Sequence, residues 1–360
     1  MAEADDQSTG QGTGRMGRMI RSARNSASPE EPENSPENTD ALCNVREKLQ
    51  DPKVLEQEYN FLVEVLKRLP DLPDPFNIAL FVMEQYRQRF GCYPDVLHPV
   101  TFNEKIQARK FFDRRPILCL MADKLAVRDY VAQRVGPEFL PKLLHVTSDP
   151  SDIPFASLPG RYVVKASHGS GWVRLVKNRA TLNEAALVTV CRKWLALNYY
   201  DITFEWNYKK IARRILVEEF LDNGAGEPAN DFKLFTFNGR VEYIQVDVGR
   251  FTRHRKNFYD RRWNLVALRQ EADNFPGTIA PPPNLQDLIR CAEALAQGLD
   301  FVRVDLYDVG GKISFGEMTA TPGNGFFRFD PPDFDEHFGR LWRMEIGSLG
   351  NLCGAASKKA

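Results

Sequence analysis

Between Tyr162 and Thr319 the sequence three times spells a strand, a short turn and a returning strand. Tyr162-Val-Val-Lys165 runs into Ser167-His-Gly-Ser-Gly171 and returns as Trp172-Val-Arg-Leu-Val176, a hairpin with a glycine-rich tip. Residues 232–237 and 241–248 flank Asn238-Gly239, a pair that tolerates the positive φ angles of a two-residue hairpin turn. Residues 301–307 and 312–319 flank Asp308-Val-Gly-Gly311. Hairpins make antiparallel neighbours, and the segments between them are helical without forming regular β-α-β units. The fold class that follows is α+β.

The helical segments dominate the first part of the chain. Val54, Tyr59, Phe61, Leu62, Val65 and Leu66 recur at helical spacing, a break spans Pro70 to Pro75, and residues 76–90 resume the pattern. A further helix over residues 116–135 carries Asp123, Lys124 and Arg128 among Leu118, Met121, Leu125 and Val127. Thr181-x-x-Glu184 reads as a capping box opening a helix to about Tyr199, and residues 213–221 as a short apolar strand. Asn284, preceded by three prolines, caps a helix that stops at Gly298. The expected division is a disordered tail over residues 1–40, a helical N-terminal lobe over 41–150, a catalytic domain over 151–345 and a C-terminal tail over 346–360. The first tail follows from its Gly, Ser, Pro, Asn and Glu content, which buries too little surface to offset ordering entropy.

Composition excludes several classes. The 360 residues are 43% hydrophobic, enough for a sizeable core. Lys plus Arg and Asp plus Glu number 48 each, so no net field draws in nucleic acid or an anionic membrane. The six cysteines (Cys43, Cys92, Cys119, Cys191, Cys291, Cys353) make no C-x-x-C pair or zinc-ligand spacing and read as reduced thiols. No run approaches the roughly twenty apolar residues of a membrane helix, and the N-terminus lacks the apolar core of a secretory signal. The cytoplasm is the expected compartment.

Strand alternation in the last hairpin puts Arg303 and Asp305 on one face, and Glu317 and Thr319 on one face of its partner. A three-residue loop, Val309-Gly310-Gly311, predicts Arg303 opposite Glu317 and Asp305 opposite Phe315, with Asp305 and Glu317 a diagonal step of about 7 Å apart. Carboxylates so placed repel unless a cation lies between them, and Mg²⁺ is held by one or two carboxylates plus phosphates. The alternative is a solvated hairpin face, against which stand the apolar neighbours Val302, Val304 and Leu306. The Lys165 hairpin matches neither the dinucleotide fingerprint nor the P-loop. Its glycines let backbone N–H groups approach a polyphosphate, though a lone glycine-rich hairpin is also simply a turn.

In order, Lys124, Lys165 with its glycine-rich loop, Val217-Glu-Glu-Phe-Leu221, Asp231-Phe-Lys233, Arg303-Val-Asp305 and Gly316-Glu-Met-Thr-Ala-Thr-Pro-Gly323 resemble the ATP-grasp superfamily. Phe102-Asn-Glu-Lys-Ile106, Asp123-Lys-x-x-Val-Arg128 and Val164-Lys-Ala-Ser-His-Gly-Ser-Gly171 are similar to its TupA-like branch, associated with teichuronopeptide and other surface-polysaccharide biosynthesis. The resemblance implies an ATP-grasp fold of two α+β subdomains clamping ATP. It implies an ATP- and Mg²⁺-dependent ligase joining an acid to an amine. Lys124 and Lys165 would contact ATP phosphates beneath Gly169, Ser170 and Gly171. Glu218, Glu219, Phe220 and Leu221 would form the adenine hinge, with Asp231 at the ribose and Lys233 at the phosphates. Asp305 and Glu317 would hold Mg²⁺, and Arg303 would stabilise the transferring group. Thr319 stands where many ATP-grasp enzymes place Asn, a weaker ligand for a second metal.

Arg250-Phe-Thr-Arg253-His-Arg255 follows the second hairpin, and Arg250, Arg253 and Arg255 are candidates to bind an acidic amino acid or uronic-acid sugar. An exposed, solvated loop is the alternative. His168 and His254 show no orienting carboxylate in sequence. A sugar kinase and a non-catalytic nucleotide-binding scaffold remain as rival readings of the same residues.

Overall fold

The computed structural model describes residues 52–68, 74–222, 228–249 and 254–344; the two expected tails, at 1–40 and 346–360, lie outside them. Among these residues five helices come first: α1 (Pro52–Leu66), α2 (Pro75–Phe90), α3 (Phe102–Phe112), α4 (Pro116–Ala122) and α5 (Val127–Arg134). Strands β1 (Leu143–Thr147), β2 (Tyr162–Ala166) and β3 (Val173–Val176) precede α6 (Glu184–Ala196) and α7 (Tyr200–Thr203), and β4 (Ile215–Glu219) follows. Next come β5 (Asn230–Phe237), β6 (Arg240–Val248), β7 (Arg255–Asp260), β8 (Leu265–Val266), β9 (Arg269–Gln270) and α8 (Leu285–Ala296). The chain closes with β10 (Phe301–Val309), β11 (Lys312–Thr319), β12 (Phe329–Asp330) and α9 (Asp333–Leu341).

Two antiparallel sheets carry the site. The first is four-stranded in the order β1-β4-β2-β3; the second is six-stranded in the order β11-β10-β5-β6-β7-β8. Alternation gives the second sheet two unlike faces. Val302, Val304, Leu306, Leu234, Ile244 and Val246 pack against Leu288, Ala292 and Leu295 of α8. On the other face Phe235, Phe258 and Phe301 meet Phe102, Phe338 and Trp342, while Asp231, Lys233, Arg303 and Asp305 continue that face beyond the aromatic cluster and are buried as well.

The position of β10 is fixed by α3, a helix buried on nearly every side. It opens with a capping box: Thr101 accepts from the Glu104 N–H, and Glu104 accepts from the Thr101 N–H at 3.0 Å. Asn103 donates to Asp335 at 2.9 Å and to the Phe327 carbonyl at 2.8 Å. Arg109, 1% exposed, donates to Asp300 at 2.5 Å and to the carbonyls of Phe301 at 2.9 Å and Ala320 at 3.1 Å. Its guanidinium lies 4.3 Å from the centre of the Trp342 ring.

Several expectations need correction. The connection in the last hairpin is two residues: Val309 pairs with Lys312 across Gly310 and Gly311, at φ 60° and 89°. Two glycines at positive φ make the twisted turn that hairpins favour. A bulge at Gly316 then shifts the register, so Asp305 faces Glu317 directly and Arg303 faces Thr319. A Cβ at Gly316 would lie 2.9 Å from the Asp305 carbonyl oxygen, so the bulge needs glycine. The helix expected over 116–135 is two, because the Asp123 carboxylate captures the N–H groups of Leu125 and Ala126 and interrupts it. Asn183, not Thr181, caps α6. Asn284 precedes α8 without a side-chain cap and donates to the Gly311 carbonyl at 3.2 Å. Residues 143–147, expected within the helical lobe, form an edge strand of the first sheet. The Asn238-Gly239 hairpin is as expected.

Asp300 is the buried acid that answers Arg109. Burial works to raise its carboxyl, but Arg109, the Trp342 indole N–H and Arg115 outweigh it and hold it at about 2. A depressed folded value stabilises above the unfolded carboxylate range, near 3.9, and that stability is lost as pH falls through about 2. Asp300→Asn should therefore cost about 3 kcal/mol at neutral pH, because it removes the nearer of the two buried carboxylates at Arg109, the other being Asp113 at 3.4 Å. Chemical denaturation at pH 7 and pH 2.5 checks this: the gap between wild type and variant should shrink at the lower pH.

Candidate active site

A cleft of about 400 Å³ separates the two sheets. Of the residues singled out in the sequence, Lys124, Lys165, Ser170, Gly171, the Glu218 to Leu221 segment, Asp231, Asp305 and Glu317 all line it. The first-sheet wall carries Lys124 and Lys165 with Glu218 and Glu219, set among the apolar Val163, Trp172 and Leu175. The second-sheet wall is acidic, with Asp247 joining Asp231, Asp305 and Glu317.

Each lysine of the first wall is held. Lys165 Nζ sits 2.5 Å from Glu218 Oε2, and the other Glu218 oxygen accepts from Arg128 at 3.0 Å. Arg128 also donates to the Pro141 carbonyl at 2.7 Å, so α5, β4 and β2 are tied through one carboxylate. Glu218 thus has a side-chain task besides its expected place in the hinge, and Arg128 was not among the expected site residues. Lys124, in the break between α4 and α5, donates to the Gly169 carbonyl at 2.6 Å. Burial pulls its ammonium down, opposed by Glu317, with Lys165 reinforcing the drop. Gly169 lies under Trp172, and any Cβ there would run into the indole. Trp172 in turn meets Tyr199 edge-on at 5.4 Å.

The second wall is a lattice of alternating charge. Arg303 grips Asp305 with both arms at 2.6 and 2.7 Å, and reaches Glu317 at 3.1 Å and the Thr319 hydroxyl at 3.2 Å. Lys233 touches Asp231 and lies 3.2 Å from Asp305 and 3.4 Å from Asp247. Burial opposes its charge, yet these three carboxylates outweigh it and raise the ammonium's pKa. Burial pushes the Asp305 carboxyl up, against the pull of Arg303 and Lys233.

Other expected residues fall elsewhere. Thr319 is turned to Arg303, and Arg303, Lys233 and Gly169 stand just behind the cleft lining. Arg250 and Arg253 lie outside the described residues; Arg255 donates to the Asn274 carbonyl at 3.1 Å. His168 contacts the Trp194 carbonyl at 2.9 Å, whereas His254 has a carboxylate the sequence hid, Asp247 at 3.4 Å. The signal for Asp247 was its same-face spacing with Gln245 on β6, which becomes meaningful only once β6 is paired to β5.

The donor set fits a nucleotide and its cation. Among the described residues no group of three or more His, Cys, Asp or Glu side chains forms a metal cluster, but Asp305 and Glu317, facing each other, are the one or two carboxylates Mg²⁺ takes alongside phosphates.

Two antiparallel sheets facing across such a cleft define an ATP-grasp fold. More narrowly, the family model described as TupA-like ATPgrasp matches residues 104–343, and the chain belongs to that family. Among solved structures, D-alanine–D-alanine ligase from Bacillus anthracis complexed with ATP is 16% identical with a TM-score of 0.34; the match covers 57% of this chain and 55% of that one, little more than half of that ligase. The ATP-grasp ligase PsnB complexed with a phosphomimetic variant of minimal precursor, Mg and ADP is 13% identical with a TM-score of 0.34, over 78% of this chain and 67% of that one. No curated protein matches this sequence. Among the described residues no helix is long and apolar enough to cross a membrane.

Glu218→Gln should loosen Lys165 and Arg128 together, since a neutral amide loses both charge-assisted contacts. Calorimetric titration with ATP is expected to give about tenfold weaker binding, about 1.4 kcal/mol.

Proposed function

We propose that the protein is an ATP- and Mg²⁺-dependent ligase that joins a carboxylate to an amine through an acyl phosphate. The observation that carries this reading is the opposition of Asp305 and Glu317 on one wall to Lys124 and Lys165 on the other, a cleft polarised to receive a polyanion and its cation. Lys124, Lys165, Ser170 and Gly171 would hold the phosphates, Glu219 to Leu221 the base and Asp231 the ribose. Asp305 and Glu317 would hold Mg²⁺, which when bound supplies the charge that offsets the phosphoryl oxygens.

The chemistry proceeds in two displacements. A substrate carboxylate oxygen attacks the γ-phosphorus, the bond to the ADP oxygen breaks, and an acyl phosphate forms. An amine then attacks the acyl carbon, inorganic phosphate leaves, and the amine proton passes to solvent. Arg303 and Lys233 are placed to counter charge on the transferring group, and catalysis rests on positioning and electrostatics. An acidic amino acid or uronic-acid sugar as one substrate, in surface-polysaccharide or peptide-conjugate assembly, accords with the family resemblance; Arg250 and Arg253 remain candidates for its contact.

A screen of single acids crossed with single amines, with ATP, should release ADP and phosphate only when both partners are present. AMP release would refute the acyl-phosphate route, and a stable phosphorylated product formed without an amine would make the protein a kinase. Glu317→Gln is the cleaner probe of the metal, because Glu317 is 31% exposed while Asp305 anchors the buried Arg303. Turnover should fall on the order of 100-fold with the melting temperature within about 2 °C of wild type; near-normal turnover would remove Glu317 from the metal site.

A further inference from the structure

The charged face of the second sheet extends past the cleft. On β7, alternation turns Lys256 to the side opposite Arg255, and its Cα is paired with that of Asp247, which lines the cleft. Lys256 is 5% exposed. An ammonium carries three donors, yet among the described residues this one makes a single contact, 3.5 Å to Gln270 Oε1, long for a hydrogen bond. No carboxylate among the described residues comes within 4.0 Å of it.

Gln270 is 1% exposed, and its Nε2 is buried with no hydrogen-bond partner among the described residues. Two neighbouring buried groups therefore hold surplus N–H donors for which no acceptor is found among the described residues. Removing an ammonium from water costs several kcal/mol unless an anion compensates it, and an unpaired amide N–H costs about 1–3 kcal/mol. Burial draws the Lys256 ammonium down to about 8, against Asp247 and Glu271, while Lys233 and Arg303 add to the drop. A bound anion would relieve every one of these costs at once.

We propose that Lys256 and Gln270 form a subsite for a carboxylate of the acid substrate other than the one that is activated. The proposal rests on the ligase reading above. Three strand spacings separate β7 from β10 in the sheet order, roughly 14 Å at about 4.8 Å each. That separation calls for an extended acid, longer than a four-carbon diacid, whose reacting end lies beside Asp305 and whose second carboxylate reaches β7. The anion-binding role expected of Arg255 passes to its neighbour.

The test is Lys256→Met in the full chain, read first by thermal melting. Without ligand the variant should melt at or above wild type, because it loses an uncompensated buried charge. Sebacate, a ten-carbon dicarboxylate, should raise the wild-type midpoint by about 2 °C or more and leave the variant unmoved, while hexanoate moves neither. ATP with Mg²⁺ should shift both proteins equally. A variant that melts below wild type makes Lys256 structural and overturns the proposal. So does a sebacate shift that is absent from wild type or equal in both proteins, and so does loss of the ATP shift, which would make this a phosphate contact. ADP release is measured separately: its absence from wild type counts against the ligase reading and leaves the melting result standing.

Discussion

Burying Arg109 between Asp300 and the Trp342 ring sets the frame on which the site depends. A guanidinium that is 1% exposed is tolerable only with its charge compensated. Asp300 and Asp113 supply that charge, and Asp300, the Phe301 carbonyl and the Ala320 carbonyl accept from its two terminal nitrogens. Those acceptors stand at the start of β10 and just after β11 ends, so α3 clamps the open end of the hairpin whose other end is the two-glycine turn. With both ends fixed and one bulge at Gly316, the register that brings Asp305 opposite Glu317 is determined. The Phe102-Asn-Glu-Lys-Ile106 motif belongs to this clamp: Asn103 and Glu104 make structural bonds, and Lys105 donates to the carbonyls of Gly339 and Trp342 at 2.8 and 2.6 Å.

The two walls of the cleft solve opposite electrostatic problems in the same way. Lys165 on the first sheet and Asp305 on the second both line the cleft, and each is kept in place by opposite charge on its own side. Glu218 steadies Lys165 and Arg128; Arg303 and Lys233 hold Asp305. Such pairs add little net stability once desolvation is counted, but they hold long side chains near one geometry, which is what positioning a polyphosphate requires. Lys256 and Gln270 stand apart because this internal compensation is missing there.

The glycine-rich tip illustrates how packing gives a loop its composition. Gly169 is glycine because Trp172 covers it, and Trp172 is placed by Tyr199, which follows α6. The tip is therefore coupled to the helical layer behind β2 as well as to Lys124 in front.

The α+β class, the hairpins, the lysine and carboxylate positions and the family resemblance were all legible in the sequence, because each rests on local chemistry: period-two alternation, Asn-Gly and Gly-Gly turns, and motifs that keep their order. The hidden parts involve partners distant in sequence. The choice between a two- and a three-residue turn in the last hairpin hinges on a bulge that Gly316 accommodates against Asp305, and α3 sets where the strands end. Glu218 joins Arg128 across 90 residues, and Asp247 reaches the cleft only because β6 pairs with β5. Which donors are left over, at Lys256 and Gln270, is a property of packing alone: a sequence specifies how many hydrogen bonds a side chain can make, and only the folded neighbourhood decides how many it does.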